Sequence, residues 1–162
     1  MQKGNGKMSY LTKNLTKNFT LCELTKTSTR ANNNPESPVI IRNLRLVCEH
    51  ILEPVRAHYR RPVIVHSGYR SPAVNAVVGG VRHSDHMSGH AVDFHVEGHT
   101  VYEVCLWISE NLDFDKVILE NFIPGMERSG WVHCSYGKSR DRKLFTKFKG
   151  SKTYLRGLLL RP

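Results

Sequence analysis

The chain has 162 residues, 40% of them apolar and 23% charged, the length of one domain and enough for a packed core without disulfide or metal staples. This composition excludes a collagen-like or mainly disordered chain, and no run approaches the roughly 18 apolar residues of a membrane span. Lys and Arg number 24 against 14 acids, a net charge of +10, which fits a polyanionic partner (nucleic acid, anionic lipid or a bacterial envelope polymer) or solvated basic ends.

Residues 1–18 are rich in Lys, Asn, Gly and Thr. They lack an apolar core of the secretory type and read as a mobile basic leader. Thr20-Leu-Cys-Glu23 is a capping box, so a short helix should start at Leu21. Residues 31–38 (ANNNPESP) are a loop by composition. Ile40, Leu44, Val47, Ile51 and Val55 then repeat at steps of three and four, the apolar face of a helix of about four to five turns. Pro54 should kink or end it. Val63–Ser67 reads as a buried strand, and residues 71–78 as one or two helical turns stopped by Gly79-Gly80.

Ala91–His95 reads as a short strand. Thr100 and Glu103 form a second capping box, opening a helix through Val101, Val104, Cys105, Ile108 and Leu112. Lys116–Glu120 and Trp131–Tyr136 read as strands, and the alternating Lys143–Lys149 as an edge strand. Helices come mostly early and strands late. The expected fold is therefore α+β, a mainly antiparallel central sheet with helices packed on it. Residues 19–150 would be the single domain and 151–162 a basic C-terminal tail. Lys138–Pro162, basic with interspersed Phe, Tyr and Leu, reads as a final strand plus solvated tail, or as a short helix on a membrane surface. Cys22, Cys48, Cys105 and Cys134 form no Cys-x-x-Cys pair and are expected as reduced, mostly buried thiols. Cys134 and His133 are adjacent on a strand, so they point to opposite faces and make a poor nucleophile–base pair.

Nine histidines are present, five of them between His83 and His99. Ser84-Asp-His-Met-Ser-Gly-His-Ala-Val-Asp93 has the form S-x-H-x-x-G-x-A-x-D. His86 offers an imidazole from a loop, Asp93 a carboxylate at the head of a strand, and small Gly89 and Ala91 let the chain turn tightly between them. Trp131-Val-His133 supplies a third ligand. Two His and one carboxylate with an open fourth position is the form of a catalytic zinc site; non-haem iron is the rival metal. His83, His90, His95 and His99 lie outside the pattern.

The S-x-H-x-x-G-x-A-x-D segment resembles that of the zinc D-Ala-D-Ala carboxypeptidases and the related L-Ala-D-Glu endopeptidases. Ser67-Gly-Tyr-Arg70-Ser-Pro72, Asn75 and Gly79-Gly80 resemble the stretch before that motif. Ile118-Leu-Glu120 and Trp131-Val-His133 resemble its closing part, and the likeness spans roughly residues 18–137. The resemblance implies a Hedgehog/DD-peptidase-like fold and a zinc ion on His86, Asp93 and His133. It implies an oxyanion-stabilising Arg70 and substrate contacts from Ser84, Tyr69 and Trp131. Many relatives carry the general base three residues before the last ligand. That position is Gly130 here, so Glu120 is the expected base and Glu127 the second candidate, with Asp85 a supporting or surface group.

The activity implied by this resemblance is that of a zinc hydrolase cutting a peptide bond in the stem peptide or cross-link of bacterial peptidoglycan. Such a protein would be a monomer of the phage endolysin or prophage lysis type. It would be made in the host cytoplasm without a signal peptide and act at the periplasm or cell wall, with the basic C-terminal tail meeting the anionic envelope. The alternative is a non-catalytic zinc-binding wall-recognition module of the same fold. No motif supports nucleic-acid binding.

Overall fold

A computed structural model describes residues 13–162; residues 1–12, most of the expected leader, lie outside the described residues. The stretch just after them is already built into the domain. Asn14 bridges Thr20, Leu15 N–H donates to the Phe19 carbonyl, and Leu15 and Phe19 are buried. Helix α1 (Leu21–Thr25) follows, with both halves of its capping box formed by Thr20 and Glu23.

The long amphipathic helix runs further than expected. α2 (Pro38–Val47) starts behind a Ser37 cap with proline in its first turn, where the missing N–H costs nothing. A π-helical turn, Cys48–Leu52, links it directly to α3 (Glu53–Tyr59). Pro54 therefore does not end the helix. Glu53 N–H reaches back to the Cys48 carbonyl, and this wider turn moves Pro54 into the first turn of α3, where it breaks no ladder bond. The helix stops at Arg60, which adopts a left-handed conformation at φ 53°. Leu44, Val47, Cys48, Ile51, Leu52 and Val55 are fully buried along one face.

The remaining elements are β1 (Val63–Ser67), α4 (Pro72–Val77), a 3₁₀ turn (Asp85–Ser88), β2 (Ala91–Val96), α5 (Val101–Asn111), β3 (Lys116–Phe122), β4 (Trp131–Ser135), β5 (Lys143–Phe148) and β6 (Leu155–Arg156). The strands form one sheet in the order β1-β2-β4-β3-β5-β6, antiparallel except for the parallel β3–β5 pair. The fold is α+β, as the order of elements implied.

Strand alternation gives the sheet two different faces. Val92, Phe94, Val96, Val117, Leu119, Val132 and Cys134 face the helices and join Leu44, Ile51 and Ile108 in the core. Cys48, Cys105 and Cys134 are buried there as free thiols, and Cys22 is exposed. Burial pushes the three buried thiols well above their ordinary range. The opposite face carries Asp93, His133, Ile118 and Phe145, which are direct partners across successive strands.

The chain's end departs from expectation. β5 is an interior strand, because β6 pairs outside it. Gly157 N–H donates to the Leu144 carbonyl and Leu159 N–H to Thr146 Oγ1, so part of residues 151–162 belongs to the sheet. Leu158 and Leu159 pack against the core. The alternating period marked the strand, but a two-residue partner leaves no periodicity to read. No helix among the described residues is long and apolar enough to cross a membrane.

Gly130, which opens β4, has φ +74°, and a Cβ there would lie 2.1 Å from the Glu120 carbonyl oxygen. Gly98 has a similar φ of +81° with open space around it. Gly98→Ala should cost only the strain of a left-handed residue, about 1 kcal/mol. Gly130→Ala should cost at least about 2 kcal/mol more, since rigid backbone must move. Urea unfolding of the two variants checks the difference.

Candidate active site

Asp93 and His133 are opposite one another on β2 and β4. His133 Nδ1 lies 2.9 Å from Asp93 Oδ1. His86 reaches them from the 3₁₀ turn, where Ser84 Oγ accepts the His86 N–H and left-handed Gly89 closes the turn. A Cβ on Gly89 would sit 2.8 Å from the Ile40 carbonyl oxygen, so only glycine lets this turn rest on α2.

The His86 ring is almost wholly buried, and its Nδ1 is 2.6 Å from the Gly68 carbonyl oxygen. A carbonyl only accepts, so Nδ1 donates there and Nε2 is the ring nitrogen left to face Asp93 or a metal. That Nε2 is buried with no hydrogen-bond partner, and it faces Asp93 Oδ2 at 3.2 Å. A nitrogen and a carboxylate oxygen at that distance share either a proton or a metal cation. One ligand atom from each of His86, Asp93 and His133 lies within 4.8 Å of the others. Ligands held at about 2.0–2.1 Å around a tetrahedral zinc ion fit that spacing, so these donors suit the metal. Burial pushes the Asp93 carboxyl up, but His86 and His133 together outweigh it and hold the group well below the usual carboxylate range.

Arg70 braces this cluster. Its Nη2 donates to Asp93 Oδ2 at 2.6 Å and its Nε to Ser67 Oγ at 2.9 Å. The loop bearing Arg70 is pinned by Asn33, whose amide donates to the Thr25 and Tyr69 carbonyls and accepts from Ser71 N–H. Asn33 did not stand out in the sequence; a lone Asn in an Asn-rich loop carries no signal of its long-range partners.

An open cavity of about 710 Å³ lies over the cluster. Arg70, Ser84, Glu120 and Trp131 line it with the three candidate ligands. The Trp131 indole N–H is buried without a partner. Tyr69, expected to touch substrate, is buried in the core and does not line the cavity. Glu127 is exposed in the loop before β4 and does not line it either. Asp85 is held between Lys138 (2.8 Å) and Lys116 (3.3 Å). Burial raises its pKa, but the two lysines prevail and lower it overall, which makes it a poor proton acceptor. His90 bonds the Tyr136 carbonyl, His95 pairs with His66 and His99 with Glu103. His83 lines the cavity but joins no ligand cluster among the described residues. Two wall residues, Lys147 and Tyr154, escaped sequence reasoning because they come from the strand pair at the chain's end.

A buried donor set of this kind, opening onto a cavity, is an arrangement that could hold a catalytic metal ion. Residues 13–135 match the family model described as Peptidase M15. The chain belongs to that family, whose members are zinc-dependent. No curated protein matches the sequence.

The purified protein should bind one zinc ion per chain. His86→Ala and His133→Ala should each remove tight binding, because two ligands do not hold zinc as three do. Metal analysis after dialysis reads this directly; full occupancy in both variants would refute the ligand assignment.

Proposed function

We propose that the protein is a zinc peptidase that hydrolyses a peptide bond in the stem peptide or cross-link of bacterial peptidoglycan. The observation that carries this reading is the unpartnered His86 Nε2 beside Asp93 and His133 at the cavity floor, in a chain of the Peptidase M15 family. A zinc ion held there would act as a Lewis acid and lower the pKa of its water from about 15.7 to about 7. The chain's own residues would do the rest. Glu120, in the cavity wall, takes the proton of the attacking water and returns it to the leaving amine. Arg70 keeps Asp93 oriented and offers its guanidinium to the developing oxyanion. Trp131 and Ser84 border the same space and would contact the substrate. A net charge of +10 favours approach to an anionic envelope. In this reading the protein serves phage or prophage lysis, made in the host cytoplasm and acting at the wall.

Gly130 stands where many relatives have their base, and the space beside it is filled by the Glu120 carbonyl. Catalysis therefore depends on Glu120. Purified protein incubated with peptidoglycan should release new peptide termini, identified by mass spectrometry, and a chelator should abolish release. Glu120→Gln should keep zinc and fold yet lose roughly 10²–10⁴-fold in rate, whereas Glu127→Gln should change little. A zinc-loaded wild type with no hydrolysis would instead favour a wall-binding module.

Arg70→Ala should weaken zinc binding about 10- to 100-fold, because Asp93 loses its brace. At saturating zinc kcat should still fall roughly 10²–10³-fold, the usual loss for one oxyanion donor. Normal turnover with only a lowered Tm would make Arg70 purely structural.

A further inference from the structure

The Peptidase M15 match ends at residue 135, yet the cavity wall continues beyond it. β5 lies parallel to β3 with Lys147 opposite Glu120. Immediately afterwards the register slips at Asn121, which has φ 57°, and pairing resumes at Phe122 and Phe148. This is a bulge, a device that re-aims side chains at the edge of a site. It makes Glu120 the last regularly paired residue of β3 before the bulge.

Lys147 Nζ lies 3.7 Å from Glu120 Oε1. Tyr154 OH lies 3.5 Å from the same oxygen and 3.5 Å from Lys147 Nζ. The ammonium also sits 5.0 Å from the Tyr154 ring centroid, within cation–π range. All three residues line the cavity. Both partners gather on Oε1, and no hydrogen bond to Oε2 occurs among the described residues. Trp131 is the partner of Glu120 on β4, and His133 is the partner of Ile118, two residues before Glu120 on β3.

We propose that Lys147 and Tyr154 are positioning residues that hold Glu120 through Oε1 and leave Oε2 free for the reacting water. Their role rests on Glu120 being the general base. A lone glutamate samples several rotamers and loses orientation; two partners on one oxygen remove that freedom, which is how positioning raises rate. The Lys147 ammonium stands 3.7 Å away and partly exposed, so it orients the carboxylate without locking it in a tight ion pair. The last strands thus complete the catalytic apparatus as well as the sheet.

The test uses the zinc-loaded full chain and compares kcat and KM for wild type, Lys147→Met, Lys147→Arg, Tyr154→Phe and Glu120→Gln on a soluble peptidoglycan fragment. Lys147→Met should lower kcat roughly 10-fold with KM nearly unchanged. Lys147→Arg should restore kcat. Tyr154→Phe should lower kcat by less, again with KM nearly unchanged, and it stands in if Lys147→Met fails to fold. A raised KM with kcat unchanged would mean that Lys147 binds substrate, overturning the positioning role while Glu120 stands. Full activity in Glu120→Gln would overturn the base assignment itself, and the positioning role with it.

Discussion

Asp93 and His133 face each other across one rung of an antiparallel ladder, and the rest of the site is arranged around that rung. Two strands fix both side chains on one sheet face, so the carboxylate and the imidazole need no loop to bring them together. The rung also sets a problem. A buried carboxylate is costly unless its charge is met, and here His86, His133 and Arg70 all converge on it. Much of the local structure serves that convergence: the 3₁₀ turn delivering His86, the close glycine packing beneath it, and the Asn33 bonds that fix the Arg70 loop.

The helices serve the same rung from behind. Their apolar face buries the far side of the sheet, and the π turn keeps α2 and α3 in one continuous rod despite Pro54. A kink there would withdraw Ile51 or Val55 from the core. The sheet beneath Asp93 and His133 is therefore backed over its width by fully buried side chains. This is the rigid support that an accurate ligand set needs.

Much of this was legible in the sequence, and the reasons are physical. Capping boxes at Thr20 and Thr100, the helical apolar stripe from Ile40 to Val55, and most of the strands report local rules, and the structure follows them; β1, read as buried, is the exception, lying at the sheet's edge with Ile64 and His66 exposed. The three candidate ligands were legible because metal chemistry demands particular side chains at constrained spacing. The features that escaped notice depend on distant partners. The fate of Pro54 turned on the Cys48 carbonyl, and β5 became interior only because Leu155 and Arg156 return to it. Tyr69 was expected at the site from the family resemblance alone, yet just past the end of β1 its ring is buried in the core. Lys147 and Tyr154 are ordinary residues in a basic stretch until β5 pairs with β3. Spacing within a motif announces a ligand; nothing local announces a wall built by another strand.

The fold brings three groups, His86 Nε2, Asp93 and His133 Nδ1, together around a candidate metal position. Anomalous diffraction at the zinc edge, from crystals grown with one equivalent of zinc, locates the ion itself. A single strong peak about 2.0–2.2 Å from those three donors is expected. A peak elsewhere, for instance at the paired rings of His66 and His95, with nothing between His86, Asp93 and His133, would contradict the assignment.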